Sequence, residues 1–154
     1  MSIPSSTSKV RAVGVCWYEG RILFQRKKTD EIWTLPTGAL QGEESRQTLK
    51  LIIKDELGAE IDLGTVLYVI EHFFDRNGRS EHEVGVYYEF TFQPEFASFY
   101  EKTQFTGRSP EQEFQWVDES ELNAQAIAPT ILRQLLIDPP LHTQYLLEDS
   151  RKEL

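Results

Sequence analysis

Leu35-Pro-Thr-Gly-Ala-Leu-Gln-Gly-Glu-Glu-Ser45, running on through a helical stretch to Lys54-Asp-Glu-Leu-Gly58, is the stretch that decides the fold. Its first part holds Pro36, Gly38 and Gly42 and reads as a loop from Thr37 to Gly42. Glu43 and Glu44 follow, and negative charge suits a helix start because it meets the positive end of the helix dipole. From Ser45 to Leu57 the apolar residues Leu49, Ile52, Ile53 and Leu57 recur at helical spacing, while Arg46, Gln47, Lys50 and Lys54 fall on other faces. Gly58 is a natural stop. Residues 52, 55 and 56 share one helix face, so Asp55 and Glu56 stand together at the end of a helix that faces a glycine loop. Carboxylates there are electrostatically disfavoured unless a cation joins them.

Upstream, Val10 to Tyr18 is rich in β-formers and ends at the turn Glu19-Gly20. Arg21 to Arg26 resumes as a second strand, and Ile32 to Leu35 reads as a brief third. Downstream, Thr65 to Phe74 is a strand, Asp75-Arg-Asn-Gly78 a hairpin turn, and His82 to Phe92 the answering strand with Val84, Val86, Tyr88 and Phe90 in alternation. Gln93 to Ser109 is a long polar and aromatic connection, of the kind that often carries function. Glu113 to Val117 is a short strand, residues 118 to 122 a helical turn, and Pro129 to Ile137 a last helix before Pro139-Pro140. The order points to an α/β domain whose mixed sheet is flanked by helices, not to a doubly wound parallel sheet. The expected boundaries are a loosely ordered terminus over 1–9, one domain over 10–138 and a polar tail over 139–154.

The 154 residues suit a single domain, which at this size buries roughly 70% of its unfolded surface. The formal charge of −9 repels nucleic-acid backbones and leaves small phosphorylated ligands as the partners to consider. No apolar run of roughly 18 residues suggests a membrane span, and no leader of basic then apolar character opens the sequence. A cytoplasmic protein is expected. Cys16, the single cysteine, lies in an apolar run and reads as a small core residue.

The loop-helix-loop resembles the Nudix box, G-x5-E-x7-R-E-U-x-E-E-x-G-U, where U is a bulky aliphatic. With Gly58 as the anchor, Asp55 and Glu56 take the two acidic positions and Ile53 the aliphatic one. The order of the flanking strands, from Val10 to Ile137, is similar to that family as well. The resemblance implies an α/β/α sandwich and hydrolysis of a pyrophosphate-type bond in a nucleoside diphosphate linked to another moiety. It implies Mg²⁺ or Mn²⁺ held by Asp55 and Glu56, with a backbone carbonyl from Gly38. Glu56 is the expected catalytic carboxylate. Glu113, or Glu111 beside it, is the late-loop carboxylate that many members use as a metal ligand or as a base for water. Arg26 and Lys28 are candidates for substrate phosphate, against the plain alternative that Arg26-Lys27-Lys28 is a solvated basic run. His72 and His82 read as histidines satisfied by neighbours. Trp33, Phe73, Phe74 and Tyr87 are packing residues first and stacking candidates second.

The departures from the box are specific. Leu51-Ile52 stands where the family has Arg-Glu, removing a metal carboxylate and the arginine that would pair with Glu43. Asp55 is one methylene short, the loop from Gly38 to Glu43 is one residue short, Thr37 replaces a glycine, and Gln41 replaces a frequent glutamate. Family branches that act on nucleotide sugars also carry altered boxes. Two readings therefore stand: a metal-dependent hydrolase, or a catalytically weak Nudix-fold module that binds a ligand or a protein. A homodimer through the sheet or the 93–109 connection is compatible with both.

Overall fold

The computed structural model describes residues 8–151. It is a mixed α/β structure built on two sheets. The elements in chain order are β1 (Ser8–Val15), β2 (Trp17–Tyr18), β3 (Arg21–Lys27), β4 (Thr37–Ala39), α1 (Ser45–Leu57), β5 (Ile61–Arg76), β6 (Arg79–Phe92), β7 (Gln104–Thr106), β8 (Gln112–Asp118), α2 (Leu132–Leu135) and β9 (Gln144–Asp149). Two 3-10 helices lie at Pro94–Glu101 and Glu119–Ala124. The larger sheet has the order β4-β1-β6-β5-β9 and is mixed: β1–β6 and β5–β9 are parallel, the other pairs antiparallel. The smaller sheet, β2-β3-β8-β7, is wholly antiparallel.

Helix α1 has the expected bounds. Leu49, Ile53 and Leu57 are buried in one cluster with Ala12, Leu23, Tyr88, Phe90 and Phe114. Gly58 closes the helix in the left-handed region at φ 69°, and its N–H donates to the Lys54 carbonyl; a Cβ would strain that conformation. A second cluster, with Val13, Phe24, Trp33, Tyr68, Ile70 and Tyr87, takes in Leu132 and Leu136 from the α2 end of the chain. The hydroxyl of Tyr68 donates to Leu135 O at 2.7 Å and the Trp17 indole N–H to Leu136 O at 3.0 Å. These bonds pin that short segment to the core.

Five elements differ from the sequence expectation. The strand expected over Ile32 to Leu35 is reduced to isolated bridges, Gln25↔Thr34 and Trp33↔Ile127. The stretch 10–18 is two strands in different sheets, with the fully buried Cys16 at the change-over. The segment 37–39 pairs with β1 and is a strand despite Gly38. Within 129–137 only Leu132–Leu135 is α-helical. Within the expected polar tail, Gln144–Asp149 forms β9, in register from Tyr68↔Gln144 to Phe73↔Asp149. The loosely ordered start expected over 1–9 lies mostly outside the described residues, and Ser8 and Lys9 already belong to β1. No helix among the described residues is long and apolar enough to cross a membrane.

Gly14 permits a close approach on which the α1 side of the core depends. A Cβ there would lie 2.6 Å from Cε1 of the buried Phe90 ring. Gly14→Ala is expected to destabilise the fold by about 1–3 kcal/mol, read as a lowered urea midpoint with unchanged slope. An unshifted midpoint would show that the ring can yield.

Candidate active site

The last turn of α1 presents Asp55, which is exposed, and Glu56, which is half-buried. The long connection after β6 closes over this end. Its 3-10 helix is anchored by the Trp116 indole N–H, which donates to Phe99 O at 2.9 Å, and by Phe92 N–H, which donates to the Tyr100 hydroxyl at 2.8 Å. The chain then passes Gly107, where a Cβ would lie 2.9 Å from both Glu56 O and the Phe114 ring. Arg108 N–H donates to Glu56 O at 2.7 Å. The connection thus satisfies a carbonyl that the helix end leaves without a partner and fixes the backbone of Glu56.

Glu56 Oε2 is buried and has no hydrogen-bond partner. A carboxylate oxygen in that state is costly unless something cationic or hydrogen-bonding joins it. Glu56 is among the residues that line a cleft of about 500 Å³, with Gly38, Gln41, Glu43, Ile52 and Asp55, while its Oε2 lies on the Gly107 side, 3.6 Å from where a Cβ of that residue would stand. At the centre of this cleft the departure from the box is visible as packing. A Cβ on Gly38 would overlap the Ile52 side chain, so Ile52 rests on the backbone of the glycine whose carbonyl was expected to face a metal. Leu51 is 43% exposed, and Glu43 makes no ion pair among the described residues. No group of three or more His, Cys, Asp or Glu among the described residues is placed to hold a metal ion. The donor set fits one cation held by Glu56 and Asp55, with phosphate oxygens completing its shell, as Mg²⁺ often accepts. It does not fit a site with three or more carboxylates.

A second cleft, of about 710 Å³, shares Thr37 with the first. Arg11, Arg26, Lys27 and Arg76 line it against Asp30 and Glu83, with Phe74 and Tyr87 among its apolar walls. In a chain of net charge −9 this is a local reversal of sign. The Tyr87 hydroxyl is held in its protonated form, first by burial and then by the nearby charges of Glu148 and Glu83, against a smaller opposing effect of Arg11. Arg26 is held on two sides. Its Nε donates to Glu113 Oε1 at 2.7 Å, and its guanidinium lies 4.2 Å from the centre of the Trp33 ring.

The structure does not bring all the sequence candidates together. Asp55, Glu56 and Gly38 share the first cleft and Arg26 lines the second. Glu113 lines neither; β3–β8 register sets it opposite Arg26, and its carboxylate is engaged there. Lys28 is exposed beyond the end of β3, its N–H donating to Glu111 O, while its neighbour Lys27 lines the cleft instead. His82 is satisfied by Ser8 Oγ at 2.9 Å and Glu71 Oε1 at 3.0 Å, and His72 by Ser150 Oγ at 3.1 Å. Phe73 stacks on His82, with ring centres 4.4 Å apart. Arg11 and Arg76 were not singled out from the sequence. For Arg11 a signal existed, since it alternates with Val13 and Val15 and so sits on the inward face of β1.

Burial pushes the Cys16 thiol up to about 12, so almost no thiolate exists near neutral pH. Alkylation by iodoacetamide at pH 8 is expected only after denaturation. Modification of the native protein at the rate of a free thiol would contradict this placement.

The arrangement is two clefts that share Thr37 in their walls, one with carboxylates at a helix end and one lined with cations. The family model for the NUDIX domain matches residues 8–136, and the chain belongs to that family. Among solved structures, the MutT protein of Bacillus halodurans is similar with a TM-score of 0.63 at 14% identity, over 91% of this chain and 90% of that one. The MutT Nudix hydrolase of Burkholderia pseudomallei gives 0.58 at 23%, over 75% and 86%. An ADP-ribose pyrophosphatase of Streptococcus suis gives 0.54 at 14%, over 90% and 99%. At these identities the likeness is one of fold. No curated protein matches this chain.

Proposed function

We propose that the chain hydrolyses a pyrophosphate-type bond in a nucleoside diphosphate linked to another moiety, with Mg²⁺ or Mn²⁺ as cofactor. One observation carries the reading: Glu56, whose buried Oε2 has no partner, lines a cleft that shares Thr37 with a second cleft lined with cations. The similar solved structures include an ADP-ribose pyrophosphatase, which supports this substrate class.

In this reading Glu56 and Asp55 hold the cation. Such a cation would offset charge on the phosphates and acidify a water. Glu56 would accept that water's proton. Arg26 binds phosphate, and Glu113 acts through it by fixing its Nε, so Glu113 is a positioning residue and not the base. Phe74 and Tyr87 supply apolar wall for a base or sugar.

The test is product release from a panel of nucleoside diphosphate compounds, including ADP-ribose, with Mg²⁺ or Mn²⁺ and with EDTA. Metal-dependent cleavage of a panel member is expected. Folded protein that cleaves none of them would replace this reading with a second one, a binding module without turnover. The contact of Ile52 with Gly38 is the observation that favours that alternative.

A further inference from the structure

Three arginines line the larger cleft, and two of them are already committed. Arg26 is paired with Glu113 at 2.7 Å and Arg76 with Glu81 at 3.5 Å. Arg11 makes no ion pair among the described residues. Its Nε donates to Thr37 Oγ1 at 3.3 Å, and that same hydroxyl donates to Ala12 O at 3.0 Å. The hydroxyl proton is thus directed at a carbonyl, which leaves its lone pairs for Arg11. Thr37 lines both clefts, and the guanidinium it anchors lines the larger one.

The neighbouring strands leave room there. Arg11 is opposite Gly85 on β6 and Ala39 on β4. Gly85 lacks a side chain where a Cβ would lie 2.7 Å from the Tyr87 ring. An arginine with its planar fork half-free, flanked by short residues and without a carboxylate, is suited to bidentate contact with a phosphate. The metal side of the site points the same way. With an isoleucine where the family carries a carboxylate, less of the ligand's charge is offset by a cation and more falls to the chain's own groups.

We propose that Arg11, oriented by Thr37 in the larger cleft, is the principal phosphate-binding group, and that ligand capture does not require a metal. This rests on the nucleoside diphosphate reading above and adds Arg11 to Arg26, whose Nε is already held by Glu113. Arg11 touches the ligand, and Thr37 is a positioning residue.

Calorimetric titration with ADP-ribose, and separately with inorganic pyrophosphate, tests this in EDTA and in Mg²⁺, with Tm confirming that each variant is folded. Parent protein is expected to bind ADP-ribose in EDTA within about threefold of its affinity in Mg²⁺. Arg11→Gln should weaken binding about tenfold or more in both buffers, roughly the loss of one charge-assisted contact. Arg11→Lys, which keeps charge without the fork, should fall between. Thr37→Val should weaken binding about threefold in the parent and have no effect on top of Arg11→Gln, a coupling that a merely structural role would not give. Binding that vanishes in EDTA, or Arg11→Gln binding as the parent does, would overturn the inference and leave the functional reading standing. Absence of binding by the parent in both buffers would overturn that reading, and the inference with it.

Discussion

Glu56→Gln is expected to lower product release by roughly 100-fold or more while leaving Tm within about 3 °C of the parent. The two halves of this expectation come from one atom. Oε2 of Glu56 is buried and unpartnered in the folded chain, so its charge contributes nothing favourable to folding in the absence of a cation. An amide of the same shape keeps the packing and removes the charge that would hold metal or accept a proton. The backbone bond from Arg108 N–H to Glu56 O does not depend on the side chain and should survive. Release at the parent rate would remove Glu56 from the mechanism. A large fall in Tm would show instead that the carboxylate has a structural role.

Ile52→Glu is the second large effect, and it runs in the opposite direction. The isoleucine side chain rests on Gly38, between the box loop and the acidic helix end. A glutamate there would share a helix face with Asp55 and Glu56, giving three carboxylates where two now stand. Mn²⁺ affinity is expected to rise about tenfold or more, read by calorimetry, with a rise in product release in parallel. The exchange gives up a half-buried apolar contact and should cost about 1 kcal/mol of stability without metal. Saturating Mn²⁺ should restore that loss, since a ligand that binds only the folded state stabilises it. A folded variant with neither tighter metal binding nor faster release would show that the present packing at residue 52 is not what limits the site.

Much of this was legible in the sequence, and what was not has identifiable causes. The bounds of α1 followed from apolar periodicity and from Gly58, because a helix buries one stripe and ends where the backbone can turn left-handed. The hairpin at Asn77-Gly78 followed from two residues that accept positive φ, observed at 53° and 75°. The change of sheet at Cys16 was not readable, because alternation says which face a residue takes and not which sheet it joins. β9 was missed because, among the described residues, it is an edge strand paired with β5 alone, so few of its positions need to be apolar. Among the site residues, the carboxylates of α1 came from the resemblance to the Nudix box, with helical spacing placing them on one face. The partnership of Arg26 with Glu113 spans 87 positions and exists only through the register of β3 on β8. Lys28 was singled out with Arg26, whereas the cleft takes Lys27, the last residue of β3.

β9 also bears on how the chain survives outside its native state. It covers the edge of β5 from Tyr68 to Phe73, a run that includes Val69, Ile70 and Phe73. Removing the chain beyond residue 139 would bare that edge as a row of unsatisfied N–H and C=O groups beside β-branched and aromatic side chains. Such an edge is a template for another strand of the same kind. The truncated protein is therefore expected to retain its central core yet to precipitate with concentration, as light scattering would record. The C-terminal strand thus serves as a guard against self-association of the central sheet.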